Sequence, residues 1–172
     1  MRYIFIALML SLAILFACND DNPADSAKNI SPDTLHVSVE GDQNLNFASN
    51  TVNFIEYGSG TARLSAAMIK SVTETYQVQI EFKDTAGVME FDLKDSGPLT
   101  KFEKRNLTLV TDSYAFNVEG KISFTHKSSD SLRGSFYFNA TTADTVTGGA
   151  KSVILTKGEF FYTKHNDSEY SK

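Results

Sequence analysis

Apolar residues at every second position constrain this chain more than any other feature. Leu35, Val37 and Val39 are separated by His36 and Ser38. Tyr76, Val78, Ile80 and Phe82 alternate with Gln77, Gln79 and Glu81, and Met89, Phe91 and Leu93 with Glu90 and Asp92. A period of two gives an extended strand one apolar and one wet face, the pattern of half-buried antiparallel sheet. Ala62 to Ile69 has helical propensity, but Ala62, Leu64, Ala66 and Met68 also alternate, so it is read as a strand. The sequence predicts an all-β domain, a single antiparallel β-sandwich of about nine or ten strands. An up-and-down β-barrel with a central cavity is the alternative.

Parity makes finer predictions. Between Lys83 and Val88 lies Asp84-Thr85-Ala86-Gly87, a loop that closes a hairpin. It would pair Phe82 with Met89, Ile80 with Phe91 and Val78 with Leu93, all on one face. Glu81 would then face Glu90, a small like-charge penalty on the wet side. Tyr114, Phe116, Val118, Gly120, Ile122 and Phe124 share one parity and read as one long strand bent at Gly120. The core aromatics are then Phe82, Phe91, Phe116, Phe124, Phe136 and Phe138. Three segments share a glycine followed by apolar residues two and four positions on: Gly120-Lys-Ile-Ser-Phe, Gly134-Ser-Phe-Tyr-Phe and Gly158-Glu-Phe-Phe-Tyr. A glycine on the core face lets a neighbouring aromatic pack across the missing side chain.

Ahead of the alternating region stands a different segment. Arg2 is the one charge before Cys18, and Tyr3 to Ala17 is apolar apart from Ser11. That run is shorter than the ~20 residues of a spanning helix and has the layout of an export signal. It ends in Leu15-Phe16-Ala17-Cys18, which resembles the lipobox of bacterial lipoproteins, with Leu15, Ala17 and Cys18 in the matching positions. Phe16 is bulkier than the residue usual there. The resemblance implies cleavage before Cys18 by the signal peptidase, with Leu15 and Ala17 recognised. It also implies a thioether-linked diacylglycerol on the Cys18 thiol and acylation of its amine. Several chains on one residue would hold the protein on a membrane.

Asn19 to Thr34 is polar, rich in Asp, Asn, Ser and Pro, and is predicted to be a flexible tether. Asp20 and Asp21 resemble the acidic surface-export signal of Bacteroidota-type lipoproteins; an ordinary solvated tether is the other reading. The predicted organisation is a signal peptide over 1–17, a lipidated Cys18 and acidic tether over 18–34, a sandwich over 35–164 and a polar tail over 165–172. The expected location is the bacterial outer membrane, on its surface or periplasmic face.

Two strands also carry a resemblance. Leu132, Gly134, Phe136 and Phe138, then Thr156, Gly158 and Phe160, are similar to motifs in a family of small Bacteroidota lipoproteins of unknown function. Coverage is the last third to two thirds of the chain. The resemblance implies a fold element and brings no catalytic residue.

Chemistry is hard to find in the sequence. With 16 basic and 21 acidic residues the net charge is −5, which excludes a polybasic nucleic-acid footprint. One cysteine excludes an intrachain disulfide and a thiolate zinc cluster. His36 and His165 sit among polar positions, while His126 shares the core parity of Ile122 and Phe124. No metal-binding histidine spacing, calcium loop or serine-nucleophile motif occurs. Asp92 and Asp95 lie on or beyond a wet strand face. Gly58-Ser59-Gly60 is a turn signal, and Gly148-Gly149 lies in a long loop from Thr141 to Ser152. Lys101, Lys104 and Arg105 form a small basic cluster read as a solvated face. No catalytic residue, cofactor or metal is expected. The chain reads as an envelope lipoprotein presenting a non-enzymatic binding domain, with the membrane engaged through Cys18 and a protein or glycan as partner. A small-ligand carrier with a barrel cavity is the alternative.

Overall fold

In a computed structural model of the chain, residues 33–94, 99–143 and 149–164 are described. The leader, Leu15, Ala17, Cys18, Asp20, Asp21 and almost all of the tether lie outside them, as do Asp95, Gly148 and His165. The described residues form eleven strands: β1 (Thr34–Gly41), β2 (Leu45–Ser49), β3 (Val52–Tyr57), β4 (Thr61–Ile69), β5 (Glu74–Lys83), β6 (Glu90–Asp92), β7 (Lys101–Asn106), β8 (Leu109–Tyr114), β9 (Phe116–Lys127), β10 (Ser131–Thr141) and β11 (Ser152–Thr163). They make two antiparallel sheets, one in the order β2-β1-β11-β10-β9-β6 and one in the order β3-β4-β5-β7-β8. Neither sheet closes on itself, so the fold is a sandwich and the barrel alternative falls.

The alternating residues face inward as period two requires. Leu35, Val37, Val39, Tyr76, Val78, Ile80 and Phe82 are all buried. The Ala62–Ile69 segment is strand β4, with Ala62, Leu64 and Ala66 in the core. Five of the six named aromatics, Phe82, Phe91, Phe124, Phe136 and Phe138, are buried.

The glycine positions explain how the larger sheet packs. Gly158 lies opposite Phe136, Gly134 opposite Phe160, and Gly120 opposite Phe138. A Cβ on Gly158 would stand 2.7 Å from the Phe136 ring, and one on Gly134 2.7 Å from the Phe160 ring. Phe136 and Phe160 lie over the bare backbone of their cross-strand glycines, and at Gly120 a Cβ would meet the β10 backbone itself, 2.1 Å from the Tyr137 carbonyl oxygen, so three strands approach closely while the rings fill the core.

Four expectations fail. The 84–87 loop does not close a hairpin. β5 pairs with β4 and β7, while β6 pairs with β9 in the other sheet. The chain crosses between layers there, and Phe82 meets Phe91 across the core at 4.9 Å between ring centroids. Facing across a core and pairing along a sheet demand the same parity; charge separates the two. Glu81 takes Arg63 at 3.1 Å, and Glu90 takes Lys121 at 2.7 Å and Ser123 at 3.2 Å, so the like-charge pair never forms. Met89, in the crossing segment, is consequently exposed.

The run from Tyr114 to Phe124 is not one strand bent at Gly120. It breaks at Ala115, where the chain passes from β8 in the smaller sheet to β9 in the larger. Asn117 follows at φ 49°, and the pairing with β10 shifts between Asn139 and Thr141. Phe116 lies before this kink and is exposed, whereas Ile122 and Phe124 beyond it are buried. His126 is likewise exposed rather than inward. Phe124 pairs with Gly134 and His126 with Arg133, so Thr125 is an extra residue that breaks the alternation.

Candidate functional site

A broad cleft of about 640 Å³ opens at one end of the sandwich. Four segments build it: the β3–β4 turn, the layer-crossing segment 84–89, the end of β9 with its turn into β10, and Lys164 after β11. Gly60 and Gly87 hold left-handed turns at φ 76° and 78°. No atom lies within 4 Å of where a Gly87 Cβ would stand. These glycines shape an open rim.

The polar groups of the cleft are paired. Lys127 forms an ion pair with Asp84, tying β9 to the crossing segment. Its ammonium also lies 5.6 Å from the Phe124 ring centroid and 5.8 Å from that of Phe91, a cation held on the aromatic end of the core. Lys164 reaches Glu56 at 3.3 Å. The Ser128 hydroxyl donates to the Ser131 carbonyl at 3.2 Å, closing the β9–β10 turn. Tyr57 carries the Arg63 guanidinium at 5.1 Å from its ring centroid. Val88 and Met89 add exposed apolar surface. The cleft is therefore amphipathic, with two carboxylates balanced by two ammonium groups. Such a lining suits a neutral partner with many hydroxyl or amide groups better than an ionic one.

The other sequence candidates are placed as follows. His36 is exposed on β1, between Ala48 and Glu159. His126 is on the outer face opposite Arg133, outside the cleft lining. Among the described residues no group of three or more His, Cys, Asp and Glu gathers as a metal site would. The basic cluster of β7 is matched to carboxylates. Lys101 and Arg105 both donate to Glu103, at 2.7 and 2.8 Å, and Lys104 reaches Glu74 at 3.3 Å.

Glu103 went unnoticed in the sequence because it stands on a wet parity. Its side chain is only 5% exposed. Burial pushes its carboxyl up, but the donors from Lys101 and Arg105 win and hold it below the usual carboxylate range. Gln79, opposite Lys101 in the β5–β7 register, is covered as well, donating to the Leu99 carbonyl at 2.8 Å. The spacing Lys101-Phe-Glu103-Lys-Arg105, with charges of alternating sign on one strand face, was the available signal.

Comparison of the chain with protein-family models, with curated proteins and with solved structures finds no match.

Proposed function

We propose that this chain is a bacterial envelope lipoprotein whose sandwich is a non-enzymatic binding module, and that the end cleft takes its partner. The observation that carries the reading is Leu15-Phe16-Ala17-Cys18. The chain's one cysteine stands at the end of its apolar leader and is followed by a polar stretch that runs into β1. That arrangement supports residence at the outer membrane, on its surface or periplasmic face, and the Gly134 and Gly158 strands support kinship with the small Bacteroidota lipoproteins.

The cleft supports binding over catalysis. Its charged side chains are spent on one another, and its apolar surface is exposed aliphatic and aromatic carbon beside hydroxyls. That chemistry fits a glycan or a polar protein segment. The carrier alternative needed a barrel interior; here the space between the sheets is filled by Phe47, Phe82, Phe102, Phe138 and their neighbours.

The test is metabolic labelling with radioactive fatty acid. Label should enter the wild-type chain and be absent from Cys18→Ala, which should accumulate as unprocessed precursor. Equal labelling of both would overturn the lipoprotein reading.

A further inference from the structure

Large apolar side chains are exposed unevenly on this sandwich. Among the described residues the four most exposed are Val72 at 97%, Ile69 at 78%, Leu109 at 72% and Leu107 at 66%; Phe116 follows at 53%. The first four occupy two adjacent hairpin tips of the smaller sheet. Ile69 and Val72 belong to the β4–β5 tip, and Leu107 and Leu109 to the β7–β8 tip. The Leu107 amide donates to the Thr73 carbonyl at 2.6 Å, binding one tip to the other.

Leu107 adds a second observation. It sits at φ 55°, in the left-handed region, where glycine or asparagine is the usual occupant and a branched apolar side chain is disfavoured. A leucine kept there, pointing its aliphatic carbon into solvent, is a strained residue without a packing reason.

The surroundings say what the tips meet. Lys70, Lys104 and Arg105 flank them against Glu74 and Glu103, three cations to two anions, an excess of one in a chain of net −5. The turn backbone is largely self-satisfied. The amides of Lys70 and Ser71 donate to the Glu74 carbonyl, and those of Thr73 and Glu74 to the Ser71 hydroxyl. Glu74 is a hub, accepting from the Tyr76 hydroxyl and pairing with Lys70 and Lys104. Exposed aliphatic carbon, satisfied amides and a cationic collar are what a soft, low-dielectric surface with anionic headgroups selects.

We infer that the paired tips of the β4–β5 and β7–β8 hairpins dip into a lipid bilayer carrying anionic headgroups. Ile69, Val72, Leu107 and Leu109 enter the acyl boundary, while Lys70, Lys104 and Arg105 remain at headgroup level. The contact is separate from any anchor at Cys18 and does not depend on its acylation.

A polarity-sensitive dye tests this on the full chain carrying Cys18→Ala, so that acylation plays no part. The dye is placed on Val72→Cys, or on Ile154→Cys, an exposed control site on the larger sheet. Both are bound to vesicles of phosphatidylethanolamine and phosphatidylglycerol. The expected result is a blue shift several-fold larger at position 72 than at 154. It should be lost when Ile69→Ser, Leu107→Asn and Leu109→Ser are combined, with the circular dichroism unchanged. Vesicle-bound chain without a shift at position 72 would overturn the proposal. So would a shift that grows with protein concentration in the absence of vesicles, which would mean that the tips bury against a second copy.

Discussion

Glu103 is where one side chain has most leverage on the fold. Its two oxygens receive Lys101, Arg105 and, at 3.4 Å, the Ser113 hydroxyl, so β7 and β8 are joined through one covered carboxylate. A carboxyl held below its ordinary value stabilises the fold above the unfolded pKa, and that stability is lost as pH falls through the folded value. Glu103→Gln should therefore cost roughly 1.5–3 kcal/mol at neutral pH by leaving Lys101 and Arg105, both partly exposed, without their counter-charge. The difference from wild type should begin to shrink near about pH 4, where the unfolded carboxyl protonates, and close below the lower pKa of the folded one. Urea unfolding of both proteins across pH measures it; a pH-independent difference would count against the assignment. Gly134 is the second such residue. A Cβ there would stand 2.1 Å from the Ser123 carbonyl oxygen as well as 2.7 Å from the Phe160 ring. Gly134→Ala should destabilise by about 2–3 kcal/mol, of the order of an overpacked core. Phe160→Leu should not rescue it, because the obstructing oxygen is backbone.

Among the elements, the β7–β8 turn makes the clearest separation between stability and function. Replacing Leu107 by asparagine relieves a left-handed leucine and should raise the unfolding free energy by up to about 1 kcal/mol. The same change should weaken vesicle contact, the trade expected when strain is kept for use. Thermal unfolding and vesicle flotation of Leu107→Asn read the two effects independently. The elements also show what alternation can and cannot reveal. Leu35-Val37-Val39 and Tyr76 to Phe82 were legible because each strand runs unbroken across the core. Phe116 and His126 were not, because Asn117 and the extra Thr125 each break the alternation locally, and parity counted along the chain does not register such breaks. The 84–87 loop failed for another reason. Parity is satisfied equally by a hairpin and by a crossing to the facing sheet, and the Glu81–Glu90 conflict was the one signal favouring the crossing. The cleft was illegible as a site. Asp84, Lys127, Glu56 and Lys164 come from separated segments, and only the Gly58-Ser59-Gly60 and Gly87 turn signals hinted at its rim.

At the scale of the whole molecule, the order of strands decides when the fold can form. β1 lies between β2 and β11, so the first strand of the domain is held by the last: Thr34 pairs with Phe161 and Gly41 with Val153. β10 also leans on β11 from Ser131↔Thr163 to Thr141↔Ser152. Between them the chain crosses from one sheet to the other at 50–51, at 84–89, before β7 and at Ala115, so neither sheet is a continuous piece of chain. Sheets interleaved in this way should unfold together, in one transition seen alike by backbone and aromatic signals. Non-local pairing also places closure late, since loop entropy is spent before the long-range contacts repay it. A chain ending before Ser152 should consequently lack not one strand but the larger sheet, because β1 and β10 lose their common neighbour and Leu35, Val37, Phe136 and Phe138 lose their cover. Limited proteolysis and near-ultraviolet dichroism should show that truncation to be unfolded, while removal of 165–172 alone leaves the wild-type pattern. A protease-resistant core in the shorter chain would mean that β1 seats itself without β11. The expected behaviour suits the proposed export route: a chain whose first strand waits for its last stays unfolded until nearly all of it has emerged, the state in which a leader such as residues 1–17 would deliver it.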